Sequence, residues 1–234
     1  MTNDGSTPLP PPPPPPAGAP GVAPTGTPYP ARLDIRYPER LNRVTTAFRL
    51  ILIIPIAIVF GILSGSGSQT TQTASGEWVT TTTATVAGGL FGATLLMILF
   101  RKRYPRWWFD FNLELTRFGS RIGAYLVLLT DTYPSTVEHQ SVVLDVDYPD
   151  VERDLNRGLP LVKWFLAIPH YFVLFFLAMG AFFVVIVSWF AILFTGRYPR
   201  GLFDYVVGVG RWALRVHAYA FLLTTDRYPP FSLS

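Results

Sequence analysis

The stretch that decides the fold runs over Leu159–Phe194 and reads LPLVKWFLAIPHYFVLFFLAMGAFFVVIVSWFAILF. It is apolar almost throughout and 36 residues long. A helix needs about 20 apolar residues to cross the hydrocarbon core of a bilayer, so this stretch is too long for one span. We therefore predict two spans, Leu159–Leu177 and Ala178–Phe194, with a tight reversal near Ala178–Gly180.

Two further apolar runs, Thr45–Leu63 and Ala84–Phe100, lie on either side of a polar loop at Ser64–Thr83. Half of the chain is apolar and only 15% is charged, well below the roughly 25% of a soluble domain. The composition indicates lipid as the main solvent. We predict an all-α membrane protein with four transmembrane helices.

The basic residues predict the orientation of these spans, because Lys and Arg collect on the cytoplasmic side. The polar loop contains no Lys or Arg, whereas basic residues flank the other ends of the spans. These are Arg40, Arg43, Arg49, Arg101, Lys102, Arg103, Arg106, Arg153, Arg157, Lys163, Arg197 and Arg200. This pattern predicts a multi-pass protein of the cell membrane with both termini and the middle linker in the cytoplasm. We expect Arg49 and Lys163 to extend toward that side.

An internal repeat divides the chain into two parts of similar pattern. The motif Leu-Asp-x-x-Tyr-Pro occurs at Leu33 and Leu144, and Leu-Asn-Arg follows at Leu41 and Leu155. Both parts then continue with Ile-Pro, Arg-Tyr-Pro-Arg and a closing Leu-Leu-Thr with Asp-x-Tyr-Pro. We predict two tandem two-span repeats, residues 32–135 and 136–234, called here the first and second halves. Residues 1–31 are rich in proline and are predicted to be a disordered cytoplasmic tail.

The motifs of the second half resemble the family known as domain of unknown function 4389. The resemblance rests on Ile168-Pro-His170, on Arg-Tyr-Pro-Arg-Gly-Leu-Phe-Asp at Arg197–Asp204, and on Asp-Arg-Tyr-Pro-Pro-Phe-Ser-Leu at Asp226–Leu233. The first half departs from it at Ile56 and at Trp107-Trp108. The resemblance implies an integral membrane protein of bacteria, mostly actinobacteria, and implies no activity.

Each Arg-Tyr-Pro-Arg motif precedes an amphipathic segment, Trp107–Leu129 or Gly201–Leu223. Polar residues recur there at helical spacing, which predicts a helix that lies in the membrane interface, with spanning as the alternative. We expect the four spans to pack at the centre, through small residues such as Gly89 and Gly92 of the second span, and the amphipathic helices to lie at the periphery. The strand-like segments Ala31–Tyr37 and Ser141–Tyr148 alternate apolar and polar residues, so we expect them to pair as short cytoplasmic strands.

The polar stripe of these segments supplies the candidate lipid- or partner-binding residues. They are Asp110, Arg117, Arg121, Asp204, Arg211 and Arg215, together with His170 inside a predicted span. The alternatives are that the stripe complements the helix dipoles and that His170 is structural. Tyrosine and tryptophan collect at headgroup level, so we predict interfacial anchors at Tyr104, Trp107, Trp108 and Tyr198.

No residue pattern in the sequence forms a catalytic set, a metal site or a cofactor site. The leading hypothesis is a non-catalytic scaffold or lipid-organising subunit. The expected partners are the bilayer, anionic headgroups and a membrane protein or a second copy of the chain, and not nucleic acid. A transporter or channel subunit for a lipid or small solute is the alternative, and a membrane enzyme acting on lipid headgroups is the third hypothesis.

Overall fold

A computed structural model describes residues 28–64, 68–72, 78–82, 86–135 and 140–234. The predicted Pro-rich tail lies outside these residues as far as residue 27. The described chain is mostly helical, as predicted. Its elements in chain order are β1 (Ala31–Ile35), α1 (Arg43–Leu52), α2 (Ile54–Ser64), β2 (Ser68–Gln72), β3 (Trp78–Thr82), α3 (Val86–Leu96), a π-helical turn (Met97–Arg101), α4 (Arg106–Leu126), β4 (Val142–Val146), α5 (Pro160–Leu166), α6 (Ile168–Thr195) and α7 (Arg200–Ala220).

The prediction of four spans is wrong for the described residues. Two helical segments are long and apolar enough to cross a membrane, Arg43–Ile62 and Ile168–Thr195, and Gly88–Arg101 is a shorter apolar helix. No reversal occurs at Ala178–Gly180, because α6 continues through these residues as one helix. Neither Gly nor Pro interrupts α6 after Gly180, so nothing in the local sequence ends the helix there.

Prolines divide both long apolar segments near their starts. The helix breaks at Ile53, two residues before Pro55, and at Ala167, two residues before Pro169. Proline has no N–H group for the helical bond to the residue four positions earlier, which explains why α1 and α5 end there. Backbone bonds from Ala57 to Ile53 and from Tyr171 to Ala167 restart the helix on the other side.

The predicted pairing of the two strand-like segments is confirmed. β1 and β4 form an antiparallel ribbon in which Leu33 lies opposite Leu144. The strands are exchanged between the halves, since β1 of the first half packs on α7 and β4 of the second half packs on α4. The Arg211 Nε donates to the Leu33 carbonyl and the Arg117 Nε donates to the Leu144 carbonyl, both at 2.9 Å.

Helix α7 lies between the β1–β4 ribbon and α6, and more than half of its residues are buried. The expected arrangement, with spans at the centre and amphipathic helices at the periphery, is therefore wrong. The large exposed apolar side chains lie instead along α1, α2, α5 and α6. On α6 they include Phe172, Phe175, Phe176, Phe182, Phe183, Ile186, Val187, Phe190 and Phe194.

Close packing between helices occurs at α6 rather than at the predicted second span. We expected Gly89 and Gly92 to pack tightly, but a Cβ atom at either would meet no described atom within 4 Å. At Gly180 a Cβ atom would lie 2.7 Å from the Tyr205 hydroxyl of α7. That hydroxyl donates to the Leu177 carbonyl at 2.9 Å, so α6 and α7 pack closely at this point.

The predicted polar loop contains a second antiparallel ribbon, in which β2 pairs with β3. It lies between α2 and α3. These two helices and the π-helical turn have 11, 11 and 5 residues, which together approach the 28 residues of α6. In the first half the β2–β3 hairpin therefore interrupts a helix that is continuous in the second half.

Candidate functional site

A buried cation pairs with an aspartate in each half. The Lys163 Nζ lies 2.6 Å from Asp226 Oδ1 and donates to the Thr225 carbonyl at 2.7 Å. In the first half Arg49 pairs with Asp131 and donates to the Thr130 carbonyl. The cationic side chains are 0% and 2% exposed. Both side chains are therefore held inside the protein and do not extend to its surface.

Both aspartates also hold the chain that precedes the long helices. Asp131 Oδ2 accepts from the Asn42 backbone N–H, and Asp226 Oδ2 accepts from that of Asn156, each at 2.6 Å. The Asn42 side chain in turn accepts from the Val44 N–H and caps α1. The closing motif of each half, Leu-Leu-Thr-Asp in the first and Leu-Leu-Thr-Thr-Asp in the second, thus joins the end of that half to the start of its first helix.

The arginines of the predicted polar stripe bind the protein's own backbone. Besides their bonds to strand carbonyls, Arg117 reaches Asp145 at 3.4 Å and Arg211 reaches Asp34 at 3.3 Å. Arg121 donates to the Ser135 carbonyl and Arg215 to the Ser232 carbonyl. The stripe therefore holds the β1–β4 ribbon and the segments after α4 and α7.

The acidic members of the stripe are arranged differently. Asp110 and Asp204 are exposed, and neither has a hydrogen-bond or ion-pair partner among the described residues. They follow the Arg-Tyr-Pro-Arg motifs and are the fifth residues of α4 and α7, just beyond the first turn. An acid near a helix N-terminus is favourable for the helix dipole, which is the structural interpretation of this pair.

Two of the four predicted anchors are buried in protein. Tyr104 and Tyr198 are 3% and 0% exposed, and each carbonyl accepts from a tyrosine of the other half, Tyr148 or Tyr37. Burial raises the pKa of Tyr104, so its hydroxyl stays protonated and donates to the Leu222 carbonyl.

The tyrosines that precede each first helix make matched aromatic contacts. Tyr37 meets Phe203 edge to face at a centroid distance of 4.9 Å, and Tyr148 meets Phe109 at 5.1 Å. The guanidinium groups of Arg200 and Arg106 lie over the rings of Tyr37 and Tyr148, respectively. The Tyr-Pro motif of one half therefore recognises the Arg-Tyr-Pro-Arg motif of the other.

The two tryptophan anchors are less buried than the tyrosines. Trp107 is 68% exposed and contacts the ring of Trp108 edge to face. Trp108 is partly buried and donates from its indole N–H to the Thr94 hydroxyl at 2.8 Å. Trp107 alone of the four predicted anchors is thus free to meet lipid over most of its surface.

His170 is fully buried at the start of α6. Its Nδ1 accepts from the Trp212 indole N–H at 3.0 Å, and its ring stacks on Phe231 at 4.0 Å. Its Nε2 has no hydrogen-bond partner among the described residues. These contacts join α6, α7 and the C-terminal segment, and they favour the structural interpretation of His170.

The site that the sequence did not reveal is a cavity between the two halves. Its volume is about 1250 Å³, above the roughly 300–1,000 Å³ of typical small-molecule pockets. Leu33 and Ile35 of the ribbon line it on one side, and the lining of its other walls comes from α1–α4, α6 and α7. Most of the lining is apolar. It includes Phe60, Leu90, Phe91, Leu115, Val127, Val185, Trp189, Val206, Leu214 and Phe221.

The cavity meets the exposed apolar surface of the protein. Six lining residues also belong to that surface, namely Leu50, Leu126, Phe182, Ile186, Phe190 and Phe221. The apolar lining of the cavity and the exposed apolar surface are therefore continuous at these residues.

Two polar residues lie close together in the sequence and contribute to the otherwise mainly apolar cavity lining. Thr46 and Arg49 both line it. The Thr46 Oγ1 and Arg49 Nε atoms are buried, and neither has a hydrogen-bond partner in the described part of the chain. Buried polar atoms are normally satisfied by a partner, so these two atoms are polar groups in the wall of the cavity that no described residue satisfies.

Metal chemistry has no candidate site in the described ranges, since no group of three or more His, Asp or Glu residues there could hold a metal ion. The polar pocket of about 460 Å³ beside Asp226 is lined by Lys102, Arg153, Asp154, Asn156 and Arg157, together with Leu155. It belongs to the basic surface at one end of the helices.

The fold and the cavity define a mainly helical protein with two helices suited to a membrane. Residues 160–232 match the sequence model of the family described as Domain of unknown function (DUF4389). This match supports the family resemblance for the second half. No curated protein and no solved structure is significantly similar to the chain.

Proposed function

We propose that this chain is a non-catalytic membrane protein that binds and organises lipid, holding acyl chains in the cavity between its halves. The observation that carries this proposal is the apolar cavity of about 1250 Å³ whose mouth lies among exposed apolar side chains. Concave apolar pockets with a few placed polar groups are the usual form of ligand sites. Here Thr46 and Arg49 supply the polar groups.

We further propose that the protein consists of two tandem copies of one unit. Matched contacts support this proposal, because residues in matching sequence positions have matching partners. The pairs are Arg49–Asp131 with Lys163–Asp226, Arg117–Leu144 with Arg211–Leu33, Asn42–Asp131 with Asn156–Asp226, and Tyr37–Tyr198 with Tyr148–Tyr104. In a protein duplicated in this way, the cavity lies at the boundary between the two copies.

Native-lipid analysis tests the lipid-binding proposal. The chain is purified in mild detergent, and the lipids that accompany it are extracted and identified by mass spectrometry. We expect a defined lipid in a fixed ratio to protein. A Gly123→Leu variant should lose this lipid, because Gly123 lines the cavity and a Cβ atom there meets no described atom within 4 Å.

Gly201→Leu is the matched control. Gly201 also lies in a helix and a Cβ atom there meets no described atom within 4 Å, but Gly201 is not among the residues that line the cavity. Its lipid content should equal that of the wild type. Equal lipid content in all three proteins would contradict the proposed site.

A transporter subunit that carries lipid is the alternative, and the same observation favours it because the cavity opens on an apolar surface. Transfer of a fluorescent lipid between vesicles distinguishes the two functions, since an organising protein retains its lipid and a carrier exchanges it. Turnover of the bound lipid would instead support a membrane enzyme acting on headgroups.

A further inference from the structure

The continuous helix α6 changes what the basic residues imply about the membrane. Arg157 lies just before α5, and Arg197 lies just after α6. If α6 crossed the bilayer, these arginines would lie on opposite sides. Basic residues normally collect on the cytoplasmic side. A spanning α6 would therefore place the basic residues at one of its ends on the opposite side.

Each end of α6 carries a cluster of basic residues from both halves. At the C-terminal end, the Leu41 N–H donates to the Gly196 carbonyl, which brings Arg40 and Arg43 beside Arg197 and Arg200. At the N-terminal end, the Lys102 Nζ donates to the Glu152 carbonyl and lines one pocket with Arg153 and Arg157. The excess of basic residues lies at the C-terminal end, where four arginines stand against Glu39. At the N-terminal end the three basic residues are balanced by Asp150, Glu152 and Asp154.

The long axis of the β1–β4 ribbon lies along the axes of α6 and α7. Tyr29, before β1, contacts the Arg215 carbonyl near the end of α7, whereas Tyr37, after β1, contacts Phe203 near its start. At the middle of the ribbon Leu33 binds Arg211. The neighbouring Trp212 packs in a cluster with Leu174 and Leu177 of α6.

The middle of the ribbon is therefore level with the interior of the apolar helix. The side chains of Arg32, Asp34 and Asp145 are 48%, 79% and 54% exposed there. A spanning α6 would place these charges, and the two open edges of the ribbon, at membrane depth. Exposed charges and open sheet edges are not tolerated within the hydrocarbon region.

From these relationships we infer that the protein lies in one leaflet, with α6 parallel to the membrane plane. The exposed apolar face of α1, α2, α5 and α6 enters the acyl layer, and the ribbon faces water. The length of α6, about 42 Å at 1.5 Å per residue, exceeds the roughly 30 Å hydrocarbon core. An in-plane helix has no such limit.

The leaflet is the anionic cytoplasmic one. The two ends of an in-plane helix lie at the same depth, so the basic residues at both ends of α6 can reach the headgroups. The excess positive charge at its C-terminal end attracts anionic lipid. Tyr29 and Arg227 are in contact, so both ends of the described chain lie close together beside the ribbon. This inference does not depend on a lipid in the cavity.

Cysteine labelling tests the orientation, because the chain has no native cysteine. Arg157→Cys, Arg197→Cys, Asp145→Cys and Ser234→Cys are each expressed in full-length protein in a bacterial host. A membrane-impermeant maleimide is applied to intact cells and to inverted membrane vesicles. We expect all four to react in inverted vesicles and none in intact cells. Reaction of Arg157→Cys and Arg197→Cys from opposite sides, or protection of Asp145→Cys in both preparations, would overturn the inference.

Vesicle flotation tests the charge requirement separately. Cell-free synthesised protein is mixed with vesicles of equal parts phosphatidylcholine and phosphatidylglycerol. Replacing Arg40, Arg43, Arg197 and Arg200 with glutamine should weaken binding about tenfold or more, since each lost charge weakens attraction to anionic lipid. Arg32→Gln on the water-facing ribbon is the control and should bind as the wild type. An equal loss in both variants would contradict the placement of the clusters at the headgroups.

Discussion

The Lys163 Nζ lies 2.6 Å from Asp226 Oδ1, with the lysine side chain fully buried. Removing one member of a buried ion pair leaves the other charge without compensation, which typically costs roughly 3–5 kcal/mol. We therefore expect Asp226→Asn to lower the free energy of unfolding by about that amount. Thermal unfolding of the purified protein in detergent measures it.

The control for the ion pair is Arg153→Met. The Arg153 side chain is 86% exposed beside Asp150, and substitutions at such sites usually change stability by less than about 0.5 kcal/mol. The double variant Lys163→Met/Asp226→Leu should recover much of the lost stability, because no unpaired charge remains. A double variant as unstable as Asp226→Asn would argue against the ion-pair explanation.

Trp212→Phe should destabilise the second half by about 1–3 kcal/mol, since it leaves the buried His170 Nδ1 without its donor. The first half offers a matched design, because Ile56 and Phe118 occupy the positions of His170 and Trp212. A double variant His170→Ile/Trp212→Phe should therefore be more stable than Trp212→Phe alone. Unfolding in detergent measures the relative stability of the two variants. A double variant less stable than Trp212→Phe would show that the hydrogen bond does not explain the role of His170.

Gly180→Ala should destabilise the contact between α6 and α7. Its Cβ atom would approach the Tyr205 hydroxyl at 2.7 Å and disturb the bond to Leu177, and overpacking of this kind costs about 1–3 kcal/mol. Gly92→Ala is the control and should be neutral or stabilising, because the position is open and alanine favours a helix. Greater damage from Gly92→Ala would restore the packing predicted for α3.

Tyr37→Phe and Tyr148→Phe should have similar effects. Each removes one hydroxyl that donates to a tyrosine carbonyl of the other half, and a typical hydrogen bond contributes about 0.5–1.5 kcal/mol. Tyr133→Phe serves as the control, because Tyr133 is 45% exposed. Unequal losses in the two variants would count against matched roles of the two tyrosines.

Local patterns predicted the local structure well. The polar stripe at helical spacing predicted α4 and α7, and alternation at Ala31–Tyr37 predicted β1 and its partner β4. These predictions succeeded because backbone periodicity decides which residues share a face. The prediction for α6 failed because it came from the thickness of a bilayer, whereas nothing in the local sequence ends that helix.

Long-range contacts explain what the sequence did not reveal. Asp131 and Asp226 bind cations that lie more than 60 residues earlier in the chain, and no spacing rule connects them. The available signal was the repetition of an aspartate at the end of both closing Leu-Leu-Thr motifs. The cavity has no sequence signal, since its lining residues come from most of the helices and from the ribbon.

The exchange of strands between the halves bears on how such a chain arose. A polypeptide with a single half would carry a strand that its own amphipathic helix does not bind, and it would also lack the Tyr-Pro partner of its Arg-Tyr-Pro-Arg motif. A second copy would supply both, so the expected single-unit ancestor is an intertwined homodimer. Fusion of two copies into one polypeptide would make that assembly independent of protein concentration and would free each half to change on its own.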